Sequence, residues 1–327
     1  MQRDKILLID GHNMFLRNWS VIPTMDENGN HNGGTLGFLR SLKKLVNENF
    51  PMKIIVCWEG KHSVKRRRKL HEGYKANRGI PKRVNRAYQL ETPDEQLKSL
   101  KRQLFRTKDY LEHFPVYQLG VEYTEADDVI GHISRNLYPE NEKIIISNDK
   151  DFLQLINDKV TVYRPATKQH VDVALMLEIE DVHPANWLLF KAFKGDKSDN
   201  IPGIKGIGVK TLIKMFPMLK EEHNYTLDEI LSIAKTAIDE GNKLSKKYQL
   251  IIDNREIVEL NYELMKLTET NISLKAISTI NDQLKVQRPT FDAFKLRVMF
   301  TKDGARDQVQ NFDWWTRAFM PLVENSK

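Results

Sequence analysis

The chain has 327 residues, of which 40% are hydrophobic and 29% are charged, and its formal net charge is +7. These values indicate a folded globular protein of two or three domains and exclude an intrinsically disordered chain. No apolar run approaches the roughly 20 residues that cross a bilayer, and the single cysteine, Cys57, excludes an internal disulfide. We expect a cytoplasmic monomer without membrane association.

Short β-rich runs alternate with helical patterns in the first half of the chain. Strands are predicted at residues 5–9, 53–58, 116–119, 143–147 and 160–163, and helices at 35–47, 92–113 and 125–137. Thr92, Pro93 and Glu95 form a capping box with proline in the first turn. The alternation predicts an α/β domain over residues 1–182, with a mostly parallel central sheet flanked by helices.

Strand patterns fade beyond about residue 183, where the chain becomes helical. Helices are predicted at residues 186–193, 209–216, 227–239 and 243–253, and Thr226 with Glu229 forms a second capping box. We therefore expect a helical region over residues 183–265. Pro289 and Pro321 interrupt short amphipathic segments after it, so residues 266–327 are treated as a C-terminal extension of unknown role.

Basic residues concentrate between Lys61 and Arg86, where eleven Lys and Arg side chains are opposed only by Glu72. Positive charge of this density indicates a polyphosphate partner, although a solvated basic loop is the alternative interpretation. Few large apolar residues lie between positions 59 and 91. We therefore expect this part of the chain to stand away from the core.

Acidic residues directly follow three of the predicted strands. Asp10 follows the first strand and Glu59 the second, and Asp149 and Asp151 follow the fourth. Because sites in parallel sheets form at the carboxyl ends of the strands, these side chains should meet at one edge. Further acidic candidates lie at the start of the helix predicted at 125–137 and in the turn at 195–200: Glu125, Asp127, Asp128, Asp196 and Asp199.

A single carboxylate at a strand end or a helix start is usually structural. Many converging carboxylates, in contrast, repel one another strongly unless cations neutralise them. Oxygen ligands without His or Cys suit Mg²⁺ or Mn²⁺ rather than zinc. Two such ions about 3.5–4 Å apart recur in enzymes that hydrolyse phosphodiesters. The pattern predicts a two-metal hydrolytic site that uses Mg²⁺, for which Mn²⁺ substitutes.

A glycine-rich segment with two lysines follows Asp199. Its glycines let the backbone approach another surface closely, and the free N–H groups at the next helix start favour phosphate. The glycine spacing fits neither a P-loop nor a dinucleotide fingerprint, which disfavours ATP and NAD binding. A plain connector between helices is the alternative interpretation. The candidate DNA-binding residues here are Gly203, Lys205, Gly206, Gly208 and Lys210.

The end of the basic stretch supplies further candidates. Lys75 and Arg78 suit the stabilisation of charge on a reacting phosphate, and Tyr74 offers a ring on which an unpaired base can stack. An exposed amphipathic helix is the alternative. Arg17, about one helical turn after Asn13, is another candidate for a phosphate contact.

Five motifs carry a family resemblance, namely LIDGHN at 8–13, EGYKANR at 72–78, EADD at 125–128, SNDKDF at 147–152 and GDKSDNIPG at 195–203. In this order, over residues 5–216, the chain resembles the flap endonuclease/5′→3′ exonuclease family in its bacterial and bacteriophage branch. The resemblance implies a PIN-like nuclease fold. It also implies a metal-dependent 5′→3′ exonuclease and 5′-flap endonuclease that removes primers or flaps in DNA replication or acts in repair.

The resemblance further implies roles for individual residues. The first metal would be surrounded by Asp10, Glu59, Glu125 and Asp127, and the second by Asp149, Asp151 and Asp199, with Asp128 and Asp196 in support. Lys75 would be the electrostatic catalyst beside Arg78, on a helical arch at about residues 62–100. Residues 196–216 resemble a helix-three-turn-helix that grips duplex DNA and often holds K⁺. Glu59 stands where the family usually has Asp, and its longer side chain implies a metal contact through water.

The resemblance implies substrates that carry a 5′ flap, a nick or an overhang, and RNA–DNA hybrids cut by RNase H-type activity. A junction-binding protein with weak or no nuclease activity and a metal-dependent ribonuclease are the alternative hypotheses. The aromatic tail with Trp314, Trp315 and Phe319 either binds a sliding clamp or single-strand-binding protein or packs on the chain's own surface. The second interpretation is favoured, and the source is expected to be a bacterium or a phage.

Overall fold

The computed structural model describes residues 4–79, 92–267, 272–306, 309 and 311–324. Its strands are β1 (Ile6–Asp10), β2 (Lys53–Trp58), β3 (Tyr117–Gly120), β4 (Lys143–Ile146), β5 (Val160–Arg164) and β6 (Gln169–Val171). They form one sheet in the order β3-β2-β1-β4-β5-β6, in which only the β5–β6 pair is antiparallel. The mostly parallel sheet is confirmed, and the three-residue β6 is the strand that the sequence patterns missed.

Side chains of β1 alternate between two cores, one on each face of the sheet. Ile6 and Leu8 belong to the core that also contains buried side chains from residues 182–280. Leu7 and Ile9 belong to the core on the opposite face of the sheet, which is the second core. Successive side chains of a β-strand point to opposite faces of the sheet, and in this protein both faces are covered by other parts of the chain. The continuous apolar run of β1 is therefore explained by burial on both sides.

Helices of the first half cover both faces of the sheet. They are α1 (Gly11–Val21), α2 (Gly33–Asn49), α3 (Lys65–Leu70), α4 (Pro93–Leu111), α5 (Ala126–Asn136) and α6 (Val173–Glu180). The capping box predicted at Thr92 and Glu95 is present at the start of α4. Helix α1 was not predicted, because its first turn consists of Gly11, His12 and Asn13, which lack helical periodicity.

The second half is helical, as predicted. Its helices are α7 (Pro184–Lys194), α8 (Val209–Met215), α9 (Leu227–Asp239), α10 (Ser245–Asp253), α11 (Arg255–Met265), α12 (Leu274–Val286), α13 (Ala293–Lys302), α14 (Phe312–Arg317) and α15 (Met320–Glu324). The second capping box, Thr226 with Glu229, opens α9. Of the helices in the described ranges, none combines the length and the apolar character that a bilayer crossing requires.

The C-terminal extension packs on the chain's own second core. Phe300 lies with its ring centroid 5.0 Å from that of Tyr110. Phe319 lies 4.8 Å from Phe114 in an edge-to-face arrangement. Trp315 and Phe319 are both buried. The aromatic tail is therefore part of the fold in this conformation.

The basic segment, defined here as residues 61–79, is anchored in the core at three residues, so the expectation that positions 59–91 stand away from the core is wrong for this described part. Arg67, Tyr74 and Lys75 are buried, because acidic side chains of the opposite elements neutralise the two cations. Only Lys65–Leu70 is helical in this segment, and residues 72–77 form turns. Of the predicted arch, residues 80–91 lie outside the described part of the chain.

Candidate active site

The carboxyl ends of β1, β2 and β4 meet at one edge of the sheet. Parallel pairing aligns Ile9 with Ile146, and Asp10 with Cys57. Ser147 Oγ donates a hydrogen bond to Asp10 Oδ2 at 2.9 Å and accepts one from the Asp149 N–H at 3.1 Å. The loop after β4 is therefore fastened to the end of β1, which brings Asp10 and Asp149 to the same place.

Two of these carboxylates also act as helix caps. Asp10 Oδ1 accepts a hydrogen bond from the Asn13 N–H at 3.0 Å at the start of α1. Asp149 Oδ1 accepts one from the Asp151 N–H at 2.8 Å, at the start of a 3-10 helix at Lys150–Leu155. Each cap uses one carboxylate oxygen. The same side chain therefore caps a helix and remains a candidate for the functional site.

Negative charge accumulates at this edge. Burial raises the pKa of Asp127, and the charges of Asp149, Asp10 and Glu59 raise it further, although Lys75 opposes them. Burial likewise raises the pKa of Asp10 to about 6. Burial and the neighbouring Asp149 raise the pKa of Asp151 to about 7. Carboxylates from separate stretches of the sequence therefore repel one another electrostatically, as expected for side chains that converge on one site.

Glu125 differs from its neighbours because two cations reach it. Burial disfavours its ionised form, but Arg67 and Lys75 outweigh burial and lower the pKa of the carboxyl group. Arg67 Nη1 pairs with Oε2 and Lys75 Nζ pairs with Oε1. The Tyr74 hydroxyl donates weakly to the same carboxylate at 3.3 Å. Both oxygens of Glu125 are thus engaged by the basic segment.

Asp199 is held by the other end of the basic segment. Arg78 donates to Asp199 Oδ1 from Nη2 at 2.5 Å and from Nε at 3.2 Å. The Lys75 N–H donates to the Asp199 carbonyl oxygen at 2.9 Å, and Lys75 Nζ lies 4.0 Å from Oδ2. The structure therefore brings Lys75 and Arg78 together with the carboxylates, as the phosphate hypothesis requires.

The turn around Asn200 fastens the basic segment in place. Asn200 Nδ2 donates to the Gly73 carbonyl oxygen at 2.9 Å, and Asn77 Nδ2 donates to Asn200 Oδ1 at 3.0 Å. Asn200 has a φ of +60°, a left-handed conformation that Asn tolerates well. A β-carbon at Gly73 would lie 2.7 Å from Asn200 Nδ2, so a larger residue there would have to displace the Asn200 side chain.

Lys191, a residue that the sequence analysis missed, lies among the other carboxylates. It is a buried side chain of α7 that forms an ion pair with Asp151 and donates to Asp196 Oδ2 at 2.7 Å. Burial disfavours ionisation of Asp196, but Lys191 outweighs it and lowers the pKa to about 2. The signal in the sequence was a lysine inside the apolar run WLLFKAF, where a cation needs a buried partner.

Arg67 is a second functional residue that the sequence patterns do not single out, because in the sequence it is one of many charges in the basic stretch. It donates from Nη1 to Asp128 Oδ2 and from Nη2 to Asp128 Oδ1, both at 2.8 Å. Asp128, expected in a supporting position of the metal site, therefore has both oxygens engaged by a guanidinium group.

The donor set suits hard divalent cations, because all of its ligand atoms are carboxylate oxygens. Glu59 Oε2 is buried and receives no hydrogen bond from the described residues, which leaves this oxygen open to a cation. Within the described ranges, no three Asp, Glu, His or Cys side chains are arranged to hold a metal directly. Lys75 and Lys191 pair with four of the carboxylates, so we expect metal loading to displace these ammonium groups.

The glycine-rich segment divides into a buried and an exposed part. A β-carbon at Gly203 would lie 2.0 Å from the Lys194 carbonyl oxygen, so this glycine packs against the end of α7. Gly206 has a φ of +89°, and Gly208 precedes α8 with open space around it. Lys205 and Lys210 are exposed on the same segment. Its outer part is accessible to a phosphate backbone.

Two further candidates occupy positions that the sequence analysis did not anticipate. Arg17 Nη2 donates to the Pro165 carbonyl oxygen at 3.2 Å, at the end of β5. Tyr74 is buried with Leu188 and Leu264, and its hydroxyl reaches Glu125. That burial argues against base stacking on Tyr74, because its ring faces the protein interior.

Two family models match consecutive parts of this chain. The 5′-3′ exonuclease N-terminal resolvase-like domain matches residues 5–181. The 5′-3′ exonuclease C-terminal SAM fold matches residues 182–290. Together they include every predicted site residue and leave most of the C-terminal extension outside.

Individual relatives agree with these models. The chain is 27% identical over 296 residues to a 5′-3′ exonuclease of Aquifex aeolicus, covering 90% of both chains. It is 31% identical over 216 residues to the thermostable DNA polymerase I of Thermus filiformis, covering 64% of this chain but only 23% of that protein. A structure of the bacteriophage T5 flap endonuclease with DNA and metal ions has a TM-score of 0.61 at 20% identity, covering 98% of this chain and 99% of that one.

Proposed function

The chain belongs to the 5′-3′ exonuclease family, and from this membership we propose that it hydrolyses DNA phosphodiesters as a 5′→3′ exonuclease and structure-specific 5′-flap endonuclease. The observation that carries the proposal is the convergence of buried carboxylates at the ends of β1, β2 and β4. Its setting is DNA replication or repair, which agrees with the DNA polymerase I relatives.

Two divalent cations are proposed at this edge of the sheet, Mg²⁺ with Mn²⁺ as a substitute. The residues that would hold the first are Asp10, Glu59, Glu125 and Asp127, and those that would hold the second are Asp149, Asp151 and Asp199, with Asp196 behind them. When bound, the cations activate water and stabilise the leaving oxygen. Relatives solved with metal ions support this proposal.

The chain's own cations are proposed to bind and orient the scissile phosphate. Lys75 and Arg78 lie against Glu125 and Asp199, where a phosphate that enters the site would meet them. Their positive charge stabilises the extra negative charge of the pentavalent transition state. Arg78 is half-exposed and so has the freedom to exchange its carboxylate partner for a phosphate oxygen.

Duplex DNA is proposed to lie across the outer part of the glycine-rich segment. Lys205, Gly206, Gly208 and Lys210 offer exposed charge and accessible backbone N–H groups to the phosphates, and K⁺ is proposed to bind in the same turn. Arg17 is a more distant phosphate contact. The nuclease domain is proposed to comprise residues 1–182 and the helical region residues 183–265, a division that the border of the family models at 181/182 supports.

The location and the protein partners are a separate proposal. A cytoplasmic monomer agrees with the bacterial exonuclease relatives. A sliding clamp or single-strand-binding protein would have to release Trp315 and Phe319 from the second core before binding them. The tail is for that reason a weaker partner site than the DNA-facing surfaces.

A cleavage assay tests the proposed function. Flap, nicked, overhanging and hybrid RNA–DNA substrates and a linear single-stranded RNA, all labelled at the 5′ end, are incubated with Mg²⁺, with Mn²⁺ and with EDTA. We expect flap and end cleavage that stops in EDTA. Binding to flaps without cleavage would favour the junction-binding hypothesis, and cleavage confined to single-stranded RNA would favour the ribonuclease hypothesis.

A paired substitution tests the carboxylates within that assay. Asp149→Asn with Asp151→Asn removes two negative charges that are proposed to hold the second cation, while the 3-10 helix cap can still form through the amide oxygen. We expect cleavage to fall by at least about a thousandfold, in line with the loss of metal-assisted catalysis. Flap binding in a gel-shift assay should stay within about threefold. Normal turnover by this variant would contradict the metal assignment.

A further inference from the structure

Arg67 is the most heavily bonded buried cation of the basic segment. Its side chain is 3% exposed. Nε donates to the Leu264 carbonyl oxygen at 2.7 Å, and the two terminal nitrogens donate to both oxygens of Asp128 at 2.8 Å. Nη1 also pairs with Glu125 Oε2. The basic stretch was interpreted as a phosphate-binding surface, but no phosphate can reach this guanidinium group.

These contacts join three parts of the chain that are far apart in sequence. Arg67 lies in α3, Asp128 and Glu125 lie at the start of α5, and Leu264 lies in the last turn of α11. The arrangement is bidentate towards Asp128, the geometry in which a guanidinium group holds a carboxylate most rigidly. One side chain therefore sets the position of α5 relative to both the basic segment and the helical region.

The two oxygens of Glu125 are consequently held by different groups. Oε2 pairs with the buried Arg67, which has two further carboxylate bonds to Asp128 that keep it in place. Oε1 pairs with Lys75, whose flexible stem lets its ammonium group move away. Displacement of Lys75 would leave Oε1 with only the weak contact of the Tyr74 hydroxyl at 3.4 Å, while Arg67 retains Oε2.

We propose that Arg67 is a positioning residue that holds Glu125 with Oε1 available to a divalent cation, and that Asp128 anchors Arg67 rather than binding metal itself. The inference rests on the proposed function, because Glu125 is expected to hold a cation only if the chain is a metal-dependent nuclease. Groups that orient a metal ligand typically contribute ten- to a hundredfold to metal affinity.

The first experiment separates an anchor from a ligand. Mn²⁺ binding to the full chain without DNA is measured by isothermal titration calorimetry for Asp128→Asn and for Glu125→Gln. We expect Asp128→Asn to weaken binding by less than about threefold, because Arg67 keeps its bond to Glu125. Glu125→Gln should weaken it by at least about tenfold. Equal losses in the two variants would overturn the proposal.

The second experiment separates positioning from stability. Arg67→Met removes the bidentate partner of Asp128 and the cation that pairs with Glu125 Oε2, so we expect a clear loss of melting temperature. Adding Asp128→Leu replaces the charged pair by apolar side chains and should restore much of that loss. The paired variant should nevertheless bind Mn²⁺ at least about tenfold more weakly than the unaltered chain. Recovery of both melting temperature and affinity would show a merely structural role and overturn the proposal.

The matched control is Lys69→Gln, an exposed position of the same helix. It removes one positive charge without removing a buried contact, so Mn²⁺ affinity and melting temperature should not change. If the paired variant does not fold, the Asp128→Asn and Glu125→Gln comparison decides alone. An inactive unaltered chain whose Mn²⁺ binding is insensitive to Asp10→Asn would instead refute the proposed function, an outcome distinct from the failure of the Arg67 inference.

Discussion

Lys75 is a buried ammonium group whose backbone has a φ of +53°, an uncommon conformation for a residue with a β-carbon. Burial disfavours its charge, but Asp127, Glu125 and Asp199 outweigh burial and raise its pKa. The lysine is therefore charged at every physiological pH. A permanent positive charge beside the carboxylates that are proposed to bind metal is suited to electrostatic stabilisation and unsuited to proton transfer.

We predict that Lys75→Met lowers the single-turnover rate of flap cleavage by about a hundred- to a thousandfold, the usual cost of removing an electrostatic group from a transition state. Binding of the flap in Ca²⁺ should change by less than about threefold. Lys69→Gln is the control for the loss of one charge in the same segment. A Lys75→Met variant that cuts at the normal rate would remove this residue from the mechanism.

At the scale of elements, the glycine-rich segment contains one glycine required by packing and one left free for a ligand. We predict that Gly203→Ala lowers the melting temperature, because its β-carbon would lie 2.0 Å from the Lys194 carbonyl oxygen. Gly208→Ala has open space and should leave the melting temperature within about 1 °C, consistent with the small effect of surface changes. Thermal unfolding measures both variants.

The Gly208→Ala variant also tests whether the backbone before α8 contacts DNA. If phosphates approach the backbone before α8, Gly208→Ala should weaken duplex binding several-fold in a fluorescence anisotropy titration while the fold is unaffected. Unchanged affinity in the stable Gly208→Ala protein would mean that the backbone here does not touch DNA.

The C-terminal extension is an element whose contribution to stability can be measured. Phe319 is fully buried, with its ring centroid 4.8 Å from Phe114 and 5.6 Å from Trp315. We predict that Phe319→Ala lowers the free energy of unfolding by about 3–5 kcal/mol, because it leaves a cavity in the second core. The matched control is Phe294→Ala, since Phe294 is 77% exposed and should cost less than about 0.5 kcal/mol. Urea denaturation followed by circular dichroism measures the difference, and equal effects would contradict the described packing.

At the scale of the whole molecule, the carboxylate cluster opposes folding when no metal is bound. Burial raises the pKa of Asp10 to about 6 and that of Asp151 to about 7. Between about pH 4 and its folded pKa, each carboxyl group therefore keeps a proton that it loses in the unfolded chain. Such a group lowers stability progressively as pH rises from about 4 towards its folded pKa. For Asp10 alone the shift corresponds to about 3 kcal/mol.

We therefore predict that the chain in EDTA has a lower melting temperature at pH 8 than at pH 5. Saturating Mg²⁺ should raise the melting temperature more at pH 8 than at pH 5, because cations bind the ionised carboxylates and compete with protons. Differential scanning calorimetry at the two pH values, with and without Mg²⁺, measures the effect. The control is Asp10→Asn with Asp151→Asn, in which both the pH dependence in EDTA and the response to Mg²⁺ should shrink.

Local sequence features determined much of the fold. The strands predicted at 53–58 and 160–163 match β2 and β5 to within one residue, and both capping boxes are present. Runs of apolar residues and helix caps depend on neighbours a few positions away, so they are legible in a single sequence. The acidic residues at the strand ends were also legible in the sequence, because a parallel sheet brings the carboxyl ends of its strands to one edge.

Tertiary structure alone decided which cations meet those carboxylates. Arg67 reaches Asp128 and Leu264, which lie 61 and 197 positions further along the chain. Lys191 pairs with Asp151, and the short β6 exists only because β5 offers it an edge. No local periodicity encodes such long-range pairs. Burial then made them necessary, because a charge removed from water requires an opposite charge within reach.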